Sequence, residues 1–286
     1  MLGRRGALAY LAVPPYLWLL GLFVLPLLVV VAVSLQPASG RIDFGAGWPS
    51  TNQYAHLADT PVYFRQLALS LAMAVGIAVT ATLLAYPLAY FLAFRARERA
   101  GAFLILLLLP FATSFLLRIM AWKLLLGRDG AINWLLTTTG IATEPSTLLI
   151  YSRAAVIITL IYVWIPFAAL PIYAALQRID RSHLEAAADL GAGPWTRFFR
   201  VTVPLSLPGV LATLFMVFIP TVGEYVTPLL VGGNAGIMYG NVIEDYFSKS
   251  ANWPLGSALS VVMLAITLVL VVVGVRIVQP RRLLRT

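Results

Sequence analysis

Charged residues and cysteine are scarce in this sequence. Of its 286 residues, 11% are charged and 60% are hydrophobic, whereas a soluble domain carries about 25% charged and roughly 45–50% apolar residues. Cysteine is absent, which excludes a disulfide framework, a cysteine-ligated metal and thiol chemistry. The composition excludes a water-soluble core and predicts an integral membrane protein.

The residues that nucleotide-binding and catalytic motifs need are also few. The only lysines are Lys123 and Lys249, and neither follows a glycine loop with the GxxxxGK[ST] spacing that binds phosphates. The only histidines, His56 and His183, fall on opposite predicted faces of the membrane and cannot share a metal. HExxH and GxSxG motifs are absent. We expect a non-catalytic chain that binds no metal and no cofactor, with both histidines as ordinary loop residues.

Six apolar runs have the length of about 20 residues that a membrane-spanning helix needs. The first run follows Arg4 and Arg5 and contains Ala32-Val33-Ser34, as a secretory signal peptide might, but it is much longer than the usual core of about 7–15 residues in such a signal. We therefore interpret it as a span. The predicted spans are Leu8–Leu35, Tyr63–Phe94, Gly101–Leu126, Ala154–Leu176, Leu205–Leu230 and Leu255–Val278.

The net charge of +9 is distributed unequally between the two sides of these spans. One side carries 13 of the 20 Lys and Arg residues but only 4 of the 11 Asp and Glu residues, and the other side carries 7 of each. Because basic loops stay in the cytoplasm, the basic side is predicted to be cytoplasmic, with both termini inside. The basic composition is then a topology signal, and we expect no nucleic-acid partner. The basic side consists of the N-terminus, residues 95–99, the loop Arg178–Arg200 and the tail after Gly274.

The cytoplasmic loop Arg178–Arg200 has the pattern of a short helix. Ser182 followed three residues later by Glu185 is a capping-box signature for a helix start. Gly191 offers a left-handed end to this helix, and Gly193 precedes a proline that turns the chain. The pattern alone leaves two interpretations open, a capped connecting turn or a helix that gains its order by packing against a partner.

The spacing of this loop resembles the EAA loop of ABC importer permeases. Glu185-Ala186-Ala187 is followed by three residues, Gly191, nine residues and Val201-Thr202-Val203-Pro204, where the family pattern has Ile and Leu at the two valine positions. The resemblance implies a coupling helix between spans 4 and 5 that docks into a groove on an ATPase subunit. It implies this docking role for Ser182, Glu185, Ala186, Ala187, Gly191 and Gly193.

The similarity extends over nearly the whole chain and is closest to permeases of the spermidine/putrescine type. The segments that carry it include Arg118-Ile-Met-Ala-Trp122, Gly240-Asn-Val-Ile243 and Asn252-Trp-Pro-Leu-Gly-Ser-Ala258. The resemblance implies a bacterial inner-membrane protein that pairs with a second, homologous permease. This second permease is more often a different chain than a copy of the same one. The resemblance also implies two ATPase subunits that hold ATP and Mg, and an extracytoplasmic solute-binding protein. A polyamine is the expected solute, and another small solute is the alternative.

Glu224 is the only carboxylate within a predicted span. Because charges at membrane depth usually face a bundle interior or water and often pair, we consider two roles for Glu224, contact with the solute or an ion pair with Arg118. Tyr225 beside it offers an aromatic face to an ammonium group. Trp122 and Trp164 fit membrane anchors better than solute platforms. The pathway candidates are Glu224, Tyr225, Arg118, Trp122, Trp164 and, in an outer loop, Asp245.

We expect one all-α membrane domain over residues 1–286, without internal repeats. An ion-coupled secondary transporter would need its own ion site and often shows inverted repeats. A membrane enzyme would need a catalytic constellation that Glu224 and Arg118 alone do not make. A membrane scaffold fits the composition but does not explain the EAA spacing.

Overall fold

The computed structural model describes the backbone of residues 4–37, 42, 44–45, 47–146 and 149–278. Within these ranges every regular element is helical. The arginines of the tail after residue 278, which contribute to the predicted cytoplasmic charge, lie outside the described residues. The helices are α1 Arg4–Ser34, α2 Asn52–Asp59, α3 Pro61–Phe91, α4 Ala100–Leu108, α5 Phe115–Leu126, α6 Ala131–Thr138, α7 Arg153–Gln177, α8 Arg181–Asp189, α9 Pro194–Arg197, α10 Val203–Val222, α11 Tyr239–Ser248 and α12 Trp253–Val278.

Five helical segments in the described chain are long and apolar enough to cross a membrane. They coincide with the first, second, fourth, fifth and sixth predicted spans, apart from differences at their ends. A bent pair of segments at the third predicted span raises the number to six if the pair is counted as one span. The five segments are Val13–Ser34, Pro61–Ala96, Arg153–Gln177, Pro194–Val222 and Trp253–Arg276.

The third predicted span, Gly101–Leu126, is broken by a sharp bend. The segments Ala100–Ala112 and Phe115–Thr138 meet at an angle of 85°. Pro110 lacks the N–H group that would continue the helical ladder. The backbone N–H and the hydroxyl of Thr113 both donate to the carbonyl oxygen of Pro110, at 3.3 and 2.6 Å. These local bonds replace helical ones and turn the chain.

The fifth predicted span ends earlier than the apolar run that suggested it. We predicted a helix to Leu230, but α10 ends at Val222 and the chain is irregular at Gly223. A short π-helical segment, Pro228–Gly232, follows this break. At the other end the helix continues without a gap from α9 through the π-helical turn Phe198–Thr202. The helix of this span therefore begins at Pro194, ahead of the predicted start at Leu205.

The chain divides into two compact units, residues 1–65 with 242–286 and residues 66–241. In the first unit α1 and α2 both pack against α12. The indole N–H of Trp48 donates to the carbonyl oxygen of Ala32 at 3.1 Å. The hydroxyls of Tyr63 and Tyr246 share a hydrogen bond of 2.7 Å. These polar contacts hold the ends of the helices, while their apolar faces supply the packing.

The second unit is organised around the pair α7 and α10. At Gly209 of α10 a β-carbon would lie 2.5 Å from the β-carbon of Ala175 and 2.6 Å from the carbonyl oxygen of Pro171, both on α7. The hydroxyl of Thr213 donates to the buried carbonyl of Ala168 at 3.0 Å. Small residues and hydroxyl contacts of this kind allow two helices to approach closely inside a bilayer.

Large apolar side chains remain exposed along the spanning helices. Phe23 on α1, Leu83 on α3 and Ile105 on α4 are 77%, 66% and 70% exposed. Such surfaces are rare on soluble proteins, where a large apolar patch marks a contact site. In this chain they follow from the bilayer, whose lipid tails solvate apolar side chains.

Candidate functional site

Helix α8 in the predicted coupling loop begins two residues earlier than the capping box predicts. Its N-cap is Asp180, whose Oδ1 accepts the backbone N–H of Ser182 at 3.0 Å. The predicted cap at Ser182 is therefore wrong, because Ser182 donates to a cap and does not supply it. This bond from the Ser182 backbone, with a further one from its side chain, lowers the pKa of the exposed Asp180 carboxyl, since hydrogen bonds to the charged form favour ionisation.

Helix α8 ends in a Schellman motif centred on Gly191. Gly191 has a φ of +82°, a conformation that glycine adopts without strain. The N–H of Gly191 donates to Ala188 O at 2.8 Å, and the N–H of Ala192 donates to Ala187 O at 3.0 Å. This pair of bonds defines the motif. The structure thus has the left-handed end that Gly191 suggested.

No residue of α8 is buried within this chain. Glu185 and Ala186 are exposed and Ala187 is half-buried. Two large apolar side chains beside the helix, Leu190 and Trp195, are 88% and 74% exposed. Helix α8 is therefore capped at both ends, and the apolar side chains at its border are uncovered within the described chain. Such a surface is accessible to another molecule.

The segment after α8 contacts α3 through an aromatic cluster. The ring centroid of Phe198 lies 5.8 Å from that of Tyr86 and 5.6 Å from that of Tyr90, both in edge-to-face geometry. The Tyr86 hydroxyl also shares a hydrogen bond of 2.8 Å with the hydroxyl of Ser206 on α10. Sequence reasoning missed this cluster. The four-residue spacing of Tyr86 and Tyr90, which places them on one helix face, is the signal that could have revealed it.

Glu224 lies in the break after α10 and not inside a helix. Its Oε1 accepts the backbone N–H groups of Val226 and Thr227, each at 2.9 Å. The carboxylate therefore starts the next helical turn, in the manner of an N-cap. The other oxygen, Oε2, accepts no hydrogen bond from the described residues. Glu224 is half-buried and Tyr225 is 43% exposed.

The start of α11 fixes this break from the other side. The side chain of Asn241 donates to Tyr225 O at 2.7 Å and accepts the N–H of Met238 at 3.0 Å. A β-carbon on Gly240 would lie 2.7 Å from Gly223 O and 2.8 Å from Glu224 O. Only glycine allows this approach of α11 to the backbone of the break, which places Gly240 and Asn241 in support of Glu224.

Arg118 and Glu224 form no ion pair in the described structure, so the second of the two roles considered for Glu224 is not observed. The guanidinium carbon of Arg118 lies 4.1 Å from the ring centroid of Phe111 and 5.9 Å from that of Phe115. Its Nε and Nη1 atoms are buried without hydrogen-bond partners. Aromatic faces therefore contact the Arg118 cation, while these two nitrogen atoms donate no hydrogen bond.

The remaining pathway candidates, Trp122, Trp164 and Asp245, each have contact partners other than Glu224. Trp122 packs against Tyr162 with ring centroids 5.4 Å apart. Trp164 packs against Phe167 at 6.0 Å, with its indole nitrogen buried and unpaired. Asp245 on α11 forms an exposed ion pair with Lys249, and this pair raises the pKa of the Lys249 ammonium. Glu224 and Tyr225 thus share one local arrangement, the break after α10.

Metal-binding clusters are not a feature of the described residues. They contain no group of three or more His, Asp or Glu residues positioned to hold a metal ion.

Comparison with known families identifies the class of protein. The family described as "Binding-protein-dependent transport system inner membrane component" matches residues 4–283. The chain belongs to this family, and it is an inner-membrane permease of a transport system. The resemblance to ABC importer permeases, inferred from the EAA spacing, is thereby confirmed.

Individual relatives agree with this assignment. The spermidine/putrescine transport system permease protein PotB of Haemophilus influenzae is 36% identical over 259 residues, which cover 91% of this chain and 90% of that protein. PotB of Escherichia coli is 33% identical over 246 residues, which cover 86% of this chain and 88% of the relative. The narrower resemblance to spermidine/putrescine permeases is confirmed as well.

Among solved structures, the chain is similar to a bacterial alginate ABC transporter in complex with an alginate pentasaccharide-bound periplasmic protein. The TM-score is 0.76 at 16% identity, and the match covers 100% of this chain and 97% of that one. At this identity the likeness shows the fold alone. The chain therefore shares the all-helical fold of that transporter chain over its whole length.

Proposed function

We propose that this chain forms one half of the translocation pathway of an ATP-driven importer for a polyamine such as spermidine or putrescine. A second permease, more often a different chain than a copy, supplies the other half. Two ATPase subunits bind ATP and Mg and drive the cycle. A solute-binding protein outside the cytoplasmic membrane delivers the polyamine.

The orientation follows from the distribution of basic residues. Both termini and the loop Arg178–Arg200 lie in the cytoplasm, because the positive excess of the whole sequence falls on that side. This orientation places α8 where an ATPase subunit can reach it. The outer loops then face the solute-binding protein.

The observation that carries the proposal is the exposed helix α8. It has a defined start at Asp180 and a defined end at Gly191, yet none of its residues is buried within the chain. A helix of nine residues is marginal in water by itself. Docking of Glu185, Ala186 and Ala187 into a groove of the ATPase explains why the loop has this shape.

The polyamine assignment is supported by the relatives and by one local feature. The relatives that match most of the chain carry the name spermidine/putrescine permease. Glu224 keeps one carboxylate oxygen free of hydrogen bonds from the described residues and stands beside the exposed ring of Tyr225. A carboxylate with an adjacent aromatic face suits an ammonium group.

Co-purification tests the coupling role. The wild-type chain is purified in mild detergent with the ATPase and the second permease, and is compared with Glu185→Arg and Gly191→Arg. Glu98→Arg is the matched control, because Glu98 is an exposed carboxylate on the same predicted face but outside the loop. We expect both loop variants to lose the ATPase and the control to retain it.

Uptake of labelled spermidine by the whole transporter tests the solute. Loss of ATPase binding in the loop variants, together with spermidine uptake by wild type, supports both parts of the proposal. If both loop variants assemble and transport normally, the docking role of α8 is wrong. If the assembled wild type transports another small solute and no polyamine, the coupling role stands and the polyamine assignment is wrong.

A further inference from the structure

An open groove of about 420 Å³ lies at the end of α5, and no residue of the break that carries Glu224 lines it. It is formed by the last turn of α5, the connection to α6 and the residues that precede α7. Its polar and aromatic lining consists of Lys123, Arg128, Asp129 and Tyr151. None of these residues belongs to the proposed pathway or to the coupling loop.

The groove has an excess of positive charge. Lys123 lies in the last turn of α5, with its Nζ atom 5.9 Å from the ring centroid of Tyr151. Arg128 is exposed at the rim. In the described part of the chain neither cation forms an ion pair, and Asp129 is the one carboxylate that lines the groove. Two cations against one carboxylate favour an anionic occupant.

The start of α6 adds to this preference. Gly130 is the N-cap of α6, lines the groove and provides no side chain to cap the helix. The side-chain oxygen of Asn133 is already used elsewhere, because it accepts the backbone N–H of Ser146 at 2.9 Å. The N–H groups at the start of a helix attract anions, and phosphate in particular. They supplement the two side-chain cations here.

The groove also borders apolar surface of the kind that lipid tails cover. Leu124, which lines it, is 76% exposed, and Trp134 on α6 is 66% exposed. The groove lies at the end of the apolar run that closes with Leu126, which is where a bilayer changes from tails to headgroups. Tyr151 has a φ of +57°, and non-glycine residues in this region often occur at functional sites.

We propose that this groove binds the headgroup phosphate of an acidic phospholipid, with Lys123, Arg128 and the start of α6 as its ligands and Leu124 against an acyl chain. A cationic solute is repelled by the same residues, so the groove is not part of a polyamine pathway. Phospholipids occupy both leaflets, so the inference holds for either orientation of the chain. It is independent of the proposed function.

Native mass spectrometry of the full-length purified chain tests the proposal, with phosphatidylglycerol, phosphatidylethanolamine and inorganic phosphate as probes. The test variant is Lys123→Gln/Arg128→Gln. The control Arg65→Gln/Lys249→Gln removes the same charge from exposed positions that do not line the groove. Lys123→Arg/Arg128→Lys keeps the charge and serves as a rescue.

We expect phosphatidylglycerol to bind wild type more tightly than phosphatidylethanolamine does. The test variant should lose about thirtyfold in affinity, since each basic residue near an anionic lipid surface contributes about fivefold. The control and the rescue should bind like wild type. Equal binding of the two lipids, or an equal loss in the control, would overturn the proposal. Inorganic phosphate that binds as tightly as phosphatidylglycerol would also overturn it, because the site would then be one for a free anion.

Discussion

The carboxylate of Glu224 accepts the backbone N–H of Thr227 at 2.9 Å. Glu224, which was expected inside a membrane-spanning helix, therefore caps the helical turn that follows α10. The bond uses Oε1, which also accepts the N–H of Val226. A side chain held by its own backbone has a defined position, and its second oxygen points away from that contact. Glu224 is therefore a fixed charge in the break, independent of any ion pair with Arg118.

Replacement of Glu224 separates its capping role from its charge. Glu224→Gln keeps an oxygen that can accept the two N–H groups but removes the negative charge. We expect normal assembly and a rise in the KM for spermidine of roughly tenfold, which corresponds to about 1.4 kcal/mol. Uptake kinetics in cells that carry the whole transporter measure this change.

Glu224→Leu is the companion variant, because it removes both the charge and the cap. It should lower the thermal stability of the purified chain, whereas Glu224→Gln should not. Unaltered uptake by an assembled Glu224→Gln transporter would remove this residue from the mechanism.

Asn241 is expected to matter for stability more than any other polar residue near the break. Its side chain joins Tyr225 O to the N–H of Met238 and is only 6% exposed. Asn241→Leu leaves both backbone groups without this partner, at a cost of about 1–3 kcal/mol each. Thermal unfolding in detergent should show a clear drop. A melting temperature equal to that of wild type would mean that water replaces the amide.

Gly209 is predicted to be intolerant of a β-carbon. In Gly209→Ala the new methyl would lie 2.5 Å from the Ala175 β-carbon, and overpacking of this kind typically costs about 1–3 kcal/mol. Gly76→Ala on α3 is the matched control, because nothing lies within 4 Å of the added carbon. We expect unfolding at lower temperature for Gly209→Ala alone. Equal stability of the two variants would show that α7 and α10 move apart without penalty.

Gly191 and Gly193 lie two residues apart in the loop Arg178–Arg200 but differ in the backbone conformation that they adopt. Gly191 has a φ of +82°, whereas Gly193 has a φ of −66° that any residue adopts. Both have open space for a β-carbon. Gly191→Ala should therefore cost about 1–2 kcal/mol from the left-handed backbone, and Gly193→Ala should be neutral.

Hydrogen exchange of the α8 amides in the purified chain measures this difference locally. Faster exchange in Gly191→Ala and unchanged exchange in Gly193→Ala are the expected results. Equal exchange in both variants would contradict the Schellman end as the element that holds α8.

Signals that are local in sequence predicted the helices well. Apolar length located four spans to within a few residues at both ends, as for Ala154–Leu176 against the observed Arg153–Gln177. The prediction for the start of α8 was wrong by two residues, because Asp180 and Ser182 both suit a cap and only the folded backbone selects between them. The docking roles of Glu185, Ala186 and Ala187 stay predictions.

The candidate pathway was less accessible from the sequence. Apolar content continues from Leu205 to Leu230, so nothing in hydropathy marks the end of α10 at Val222. Pro110 is one of several prolines in the predicted spans, yet it breaks its span while Pro87 and Pro166 lie within continuous helices. Whether a proline bends a helix depends on which groups satisfy the carbonyls around it.

The sequence by itself determined that this chain is a membrane protein, where most of its spans lie, that α8 has a left-handed end at Gly191, and to which transport family the chain belongs. Each of these depends on composition, on apolar length or on residues close together in the chain. Only the tertiary structure decided that Glu224 caps its own backbone and that Arg118 lies over Phe111. It also decided that Asn241 secures the break from a helix further along the chain. These arrangements depend on which hydrogen-bond partners and aromatic faces folding brings within a few ångströms, and a pattern of residue types does not specify that choice.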